Sequence, residues 1–309
     1  MRSMRPSLIL PFRLVRAVAS LTQRSVETIG IENARAALRE STSHLSWFFG
    51  TRTHVETVAD ETIAGVRIRR YLPSSAATGT IVYFHGGGWT VGDLDTHDKP
   101  CRALASAAGC TLVAVDYRLA PEHPFPAAID DCAAVTEALL DRGPVVVAGD
   151  SAGGHLAAVM ARRFSQPPRP LVGQVLIYPV TDCVTEAPSY ETFANDVLLS
   201  RKTMRFYRNA FLPTKELEAH PDASPLRAPS LPTAPAYVLL AQCDVLHDEG
   251  AAYAEKLRRD GTAVICDDVA GVPHGFLHFQ GLSAPRAAMA RVAAFIRSTM
   301  ASSPSLTRR

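Results

Sequence analysis

The run Gly149-Asp150-Ser151-Ala152-Gly153 constrains this chain more than any other five residues. It joins an apolar stretch at 145–148, which reads as a buried strand, to a stretch at 155–162 that reads as a helix. A serine between glycines at a strand-to-helix turn is the pattern of a nucleophile elbow. The turn is so sharp that side chains at the flanking positions would clash. It lifts the serine hydroxyl clear of the sheet and sets it at a helix N-terminus, where free backbone N–H groups favour negative charge. Ser151 could equally be an ordinary helix N-cap, so its surroundings decide.

The chain has 309 residues, 47% of them hydrophobic, and a formal net charge of +2. That suits one large α/β domain with an elaboration, or two domains. Basic residues are dispersed, which gives no footprint for nucleic acid. No apolar run approaches the roughly 20 residues of a membrane span. Residues 1–24 carry Arg2, Arg5, Arg13, Arg16 and Arg24 among apolar residues. Arg13 and Arg16 interrupt any signal-peptide core. A basic amphipathic helix lying on a membrane surface fits this segment; packing on the protein's own surface fits it too and is preferred. The six cysteines form no C-x-x-C pair and suggest neither zinc site nor disulfide framework. They read as small buried hydrophobes in a reducing compartment, so the expected location is cytoplasmic.

From about residue 65 to 300, strand-like runs at 66–72, 80–84, 111–115, 145–148, 172–180, 236–241 and 263–269 alternate with helical ones. The helical runs lie at 99–108, 127–140, 152–164, 249–259 and 285–300. This rhythm predicts an α/β fold with a mostly parallel central sheet flanked by helices. Two segments stand outside it. Residues 1–50 have a helical pattern, and 183–225 interrupt the alternation with a helical stretch at 189–211 and a Pro-rich tail. An insertion there would sit above the C-terminal strand ends, where open α/β sheets bind ligands. The expected organisation is N-terminal cap helices at 1–50, core at 51–182, cap insertion at 183–225 and core again at 226–309.

Acyl transfer by serine needs a nucleophile, a base, an orienter and oxyanion donors. Upstream, His85-Gly86-Gly87-Gly88-Trp89 follows a strand, and its glycines can turn N–H groups inward. Gly86, Gly87 and Gly88, with Ala152 after the serine, are the expected oxyanion donors. His85 is expected to brace this loop. Downstream, Asp244 stands at a strand's C-terminal end, ahead of Asp248 and Glu249, which read as first-turn helix charges. His274, in a loop after the last strand, is the expected base; His247 and His278 are its neighbours and alternatives. His274 and His278 lack the glutamate of an H-E-x-x-H motif, so no metal is expected. The order Ser151, Asp244, His274 is one of three known triad orders.

Together with Asp116 to Ala128 (DYRLAPEHPFPAA), these motifs resemble the hormone-sensitive-lipase-like, bacterial family IV esterases of the α/β-hydrolase fold. The resemblance covers about residues 65–300. It implies Ser151 as nucleophile, Asp244 as acid and His274 as base, a helical cap, and no cofactor. It also implies a carboxylesterase of short to medium esters, with a homodimer through the last strand. Trp89 stands where phenylalanine is commoner and is expected to narrow a substrate pocket; Val245 stands where proline is usual. Arg118 and Glu122 are expected to brace each other under the site. An amidase or deacetylase of a specific metabolite shares the machinery, and the aromatic Trp89 keeps it open. A ligand receptor on a dead hydrolase scaffold would lack part of the triad. Cap aromatics Tyr190, Phe193, Phe206 and Phe211 are expected mostly to pack with one another.

Overall fold

The computed structural model describes residues 6–22, 25–44, 50–75, 77–168 and 170–302. Arg2, Arg5 and Arg24 of the basic N-terminal segment lie outside the described residues. Eight strands form one sheet: β1 Thr57–Ile63, β2 Val66–Leu72, β3 Thr80–Phe84, β4 Thr111–Val115, β5 Val145–Asp150, β6 Gly173–Ile177, β7 Ala236–Cys243 and β8 Val264–Pro273. Their order is β1-β2-β4-β3-β5-β6-β7-β8. The first two pairings are antiparallel and the other five parallel. Strands β3, β4 and β5 are mostly apolar and, but for Thr80, buried, as suits parallel strands between helical layers.

The helices between strands are α4 Asp98–Ala108, α5 Ala127–Leu140, α6 Ala152–Arg163 and α9 His247–Arg259, with α10 Ser283–Ala301 last. Helix α4 carries the chain from β3 outward to β4, and α5 returns it past β3 to β5. Right-handed crossovers in opposite directions put α4 and α5 on opposite faces. Helix α10 packs on α4, and α5 on α6.

Ahead of the sheet lie α1 Leu10–Thr22, α2 Val26–Ile29 and α3 Ile31–His44. Between β6 and β7 lie α7 Pro188–Thr192 and α8 Arg201–Phe211. Helix α2 touches α8, so the N-terminal and inserted segments meet. The helical stretch expected at 189–211 is two helices. The Asp196 carboxylate accepts from Leu198 N–H at 2.9 Å, and the Ser200 hydroxyl accepts from Thr203 N–H at 3.0 Å as an N-cap. Each offers the backbone an alternative to continuous helix.

The sheet register positions the chemistry. Phe84, the last residue of β3, pairs with Gly149 of β5, and Cys243 of β7 pairs with Pro273 of β8. The loops carrying His85, Ser151, Asp244 and His274 therefore leave the same edge of the sheet, at the strands' C-terminal ends.

Candidate active site

Ser151 has φ 56° and ψ −118°, a strained conformation for a residue with a side chain. Its surroundings hold it there. A Cβ at Gly149 would lie 2.2 Å from the Gly153 carbonyl oxygen, and one at Gly153 would lie 1.9 Å from that of Phe84. The elbow thus closes against β3 only because both positions are bare. Ser151 Oγ lies 3.0 Å from His274 Nε2, and His274 Nδ1 lies 2.6 Å from Asp244 Oδ2. Asp244 is almost wholly buried, and its other oxygen accepts from Leu246 N–H at 3.0 Å. The ring of Tyr178 lies 4.7 Å from that of His274. The three residues in the order serine, acid, histidine are brought into one hydrogen-bonded chain.

The glycine loop is fastened beside them. The buried His85 binds the Gly86 carbonyl through Nδ1 at 2.8 Å and stacks on Tyr117 at 4.2 Å. Burial pushes His85 down to about 4, so it is neutral at pH 7. Gly86 differs from expectation. Its N–H donates to Asp150 Oδ1 at 3.0 Å, with His97 Nε2 at 3.2 Å, so it is spent on fixing the loop. Among the described residues the N–H groups of Gly87, Gly88 and Ala152 meet no acceptor. A Cβ on Gly87 (φ +117°) would strike the Val91 carbonyl oxygen at 2.1 Å, and one on Gly88 would strike the Tyr207 ring at 2.2 Å. Tyr207, from α8, therefore closes over the loop. Sequence reading passed it over in favour of its neighbour Phe206.

Trp89 also departs from expectation. Its ring is wholly buried, stacked on Phe211 at 4.3 Å, and its Nε1–H donates to His155 Nδ1 at 3.2 Å. With no exposed surface it acts as packing, joining the glycine loop to α6 and α8. Tyr190, Phe193 and Phe211 are buried, and Phe206 lies partly covered beside Tyr207. Arg118 and Glu122 do not pair either. Arg118 binds Asp131 at 2.8 Å, and Glu122 binds Arg35 of α3 at 2.8 Å. Glu249 is no surface helix charge: it is buried, accepts from Thr181 N–H at 2.7 Å, and burial pushes it up to about 8. Asp248 accepts from Ser189 N–H at 2.9 Å and meets His247.

His97, Asp150 and His278 put one ligand atom each within 4.8 Å of one another, the one such group among the described residues. Their atoms are engaged in hydrogen bonds. Asp150 accepts from the Tyr83 hydroxyl at 2.7 Å and lies 3.2 Å from His278 Nε2. Burial acts to raise the Asp150 carboxyl, but the two histidines outweigh it and hold it well below the usual carboxylate range. The group fixes the loop and the elbow to each other. All six cysteines are free thiols, five of them buried and Cys266 half-buried.

A cavity of about 610 Å³ adjoins the acid end of this chain. Leu8, Arg13 and Arg16 line one wall, and Phe193, Asp196 and Cys243, the residue before Asp244, line another. Burial and then the Asp244 charge push the Asp196 carboxyl up, while Arg16 and His274 pull it down, so these groups share one electrostatic environment.

Comparison with known proteins agrees with this geometry. A family model described as alpha/beta hydrolase fold matches residues 81–278. The chain is 40% identical over 261 residues to the carboxylic ester hydrolase LipN of Mycobacterium tuberculosis, covering 77% of this chain and 69% of that protein. It is 37% identical over 280 residues to carboxylesterase NlhH of the same organism, covering 84% and 86%. The solved hyperthermophilic esterase of the archaeon Pyrobaculum calidifontis superposes with a TM-score of 0.88 at 33% identity, over 94% of this chain and 98% of that one.

Proposed function

Because the chain belongs to the α/β-hydrolase-fold family, among its hormone-sensitive-lipase-like esterases, we propose that it is a serine carboxylesterase acting through Ser151, His274 and Asp244. The observation that carries this reading is the unbroken hydrogen-bonded chain from Ser151 Oγ to Asp244. His274 takes the Ser151 proton as Oγ attacks the ester carbonyl, and Asp244 stabilises the imidazolium that forms. The oxyanion sits against Ala152 N–H with Gly87 and Gly88, whose N–H groups meet no acceptor among the described residues. His274 then protonates the leaving alcohol. A water that it activates releases the acid from the acyl-enzyme.

Short to medium acyl chains are the proposed substrates, held under a cap formed by residues 1–50 and 183–225. The contact of α2 with α8 and the Tyr207 ring over Gly88 support that cap. The connected triad speaks against a dead receptor scaffold. Six free thiols support a reducing, cytoplasmic setting. The edge position of β8, with Ile265 exposed, supports a homodimer joined through that strand.

Hydrolysis of p-nitrophenyl esters from acetate to palmitate, by the native chain and by Ser151→Ala, tests the reading. Turnover of the short chains, falling to background in the variant, is expected. A folded native chain with no turnover on any ester would overturn it.

A further inference from the structure

Helix α1 presents two apolar faces, and only one is used. Phe12 and Val15, with Leu8 just ahead, are buried. Phe12 packs edge-on against Phe276 and Phe279, in the turn after His274. The backbone is tied there too, Ile9 N–H donating to the Gly271 carbonyl at 2.9 Å. At 100° per residue, Leu10, Leu14, Val18 and Leu21 form a second stripe on the opposite side. Leu10 is 69% exposed, Leu14 57% and Leu21 87%. With Ile9 and Val18 they make five of the seven large exposed hydrophobics among the described residues; the other two, Val184 and Ile265, stand apart.

Charge says what would cover this stripe. Residues 1–24 contain five arginines and no Asp or Glu. Arg13 and Arg16 lie about 60° and 120° round from Leu10, on the side of the helix that lines the cavity, and neither has a carboxylate within salt-bridge distance among the described residues. A second copy of the chain would have to bring arginines against arginines. A surface of anionic headgroups over hydrocarbon meets both features at once. No helix of the described residues is long and apolar enough to cross a membrane, so contact would be at the interface.

We infer that α1 docks this protein on an anionic lipid surface, its outer leucines entering the headgroup–acyl boundary and the net basic charge of residues 1–24 drawing it to the headgroups. The same helix lines the cavity beside Asp244, so docking sets the site next to the lipid. This inference stands on the exposed stripe and its charge, apart from the reaction.

The test is sedimentation of the full chain with phosphatidylcholine vesicles, pure or with roughly one-third phosphatidylglycerol. Binding to the anionic vesicles about tenfold stronger than to neutral ones, weakened by about 0.5 M salt, is expected. The double variant Leu14→Asp, Leu21→Asp should lose it while keeping its melting temperature and its far-ultraviolet circular dichroism, since both side chains are exposed. Absence of binding to anionic vesicles, or binding unchanged in the variant, overturns the inference. So does self-association that the variant abolishes, because a second copy would then own the stripe.

Discussion

At the scale of single residues, Trp89 separates packing from recognition. Its stack on Phe211 and its bond to His155 make it a strut of the glycine loop. Trp89→Phe should cost about 1–3 kcal/mol of stability by denaturant titration, through a lost hydrogen bond and an unfilled space. KM for a small ester should shift by less than about twofold; a large KM change with unchanged stability would show the ring touching substrate. The triad residues were legible because each sits in a short local motif at a strand end. The direction of Trp89 was not, since it depends on a φ of +56° that no neighbouring residue type announces. Gly86 was misread for a related reason. Three consecutive glycines look alike in sequence, and only Asp150, 64 residues on, claims one of their N–H groups. Glu122 likewise found a distant partner in Arg35, whereas Arg118 took Asp131, 13 residues on.

At the scale of elements, ion pairs do work that hydrophobic pattern cannot reveal. Strand β1 escapes sequence reading because Asp60 and Glu61 interrupt it. In the sheet, Asp60 binds Arg67 and Arg69 of β2, and Glu61 binds Arg70. The start of α9 is fastened to β8 in the same way. His247 lies between Asp268 at 3.1 Å and Asp248 at 2.9 Å. The bond to Asp268 outweighs burial and, with Asp248, raises His247 to about 9. A folded value above the unfolded one, about 6.5, gives stabilisation that is complete below that pH and lost as the pH rises through about 9. Both carboxylates are more than a third exposed, so screening leaves about 1 kcal/mol. His247→Gln should therefore melt about 2 °C lower at pH 6, the difference closing near pH 10. A difference that grew with pH would refute the pairing.

At the scale of the whole molecule, the sheet is covered on both faces yet open at its β8 edge, where Ile265 is exposed. Such an edge invites pairing with another strand. Light scattering at micromolar concentration should find two copies for the native chain and one for Ile265→Lys, with ester turnover per chain retained. A native chain of one copy would remove the dimer. The alternation of elements was legible from β2 to β8, because buried parallel strands are written as short apolar runs; the docking of α1 and α8 was not, since it rests on contacts such as Phe12 with Phe276 and Tyr207 with Gly88, far apart in the chain. The order of the strands has a further consequence. The serine and the loop beside it come from neighbouring strands at the centre, but the histidine arrives only on the turn after the last strand. On the proposed mechanism, every residue up to 273 can be in place during synthesis without a single turnover. Catalysis is thus a report that the final strand has been added, and ester cleavage by a growing or clipped chain would read completion of the sheet directly.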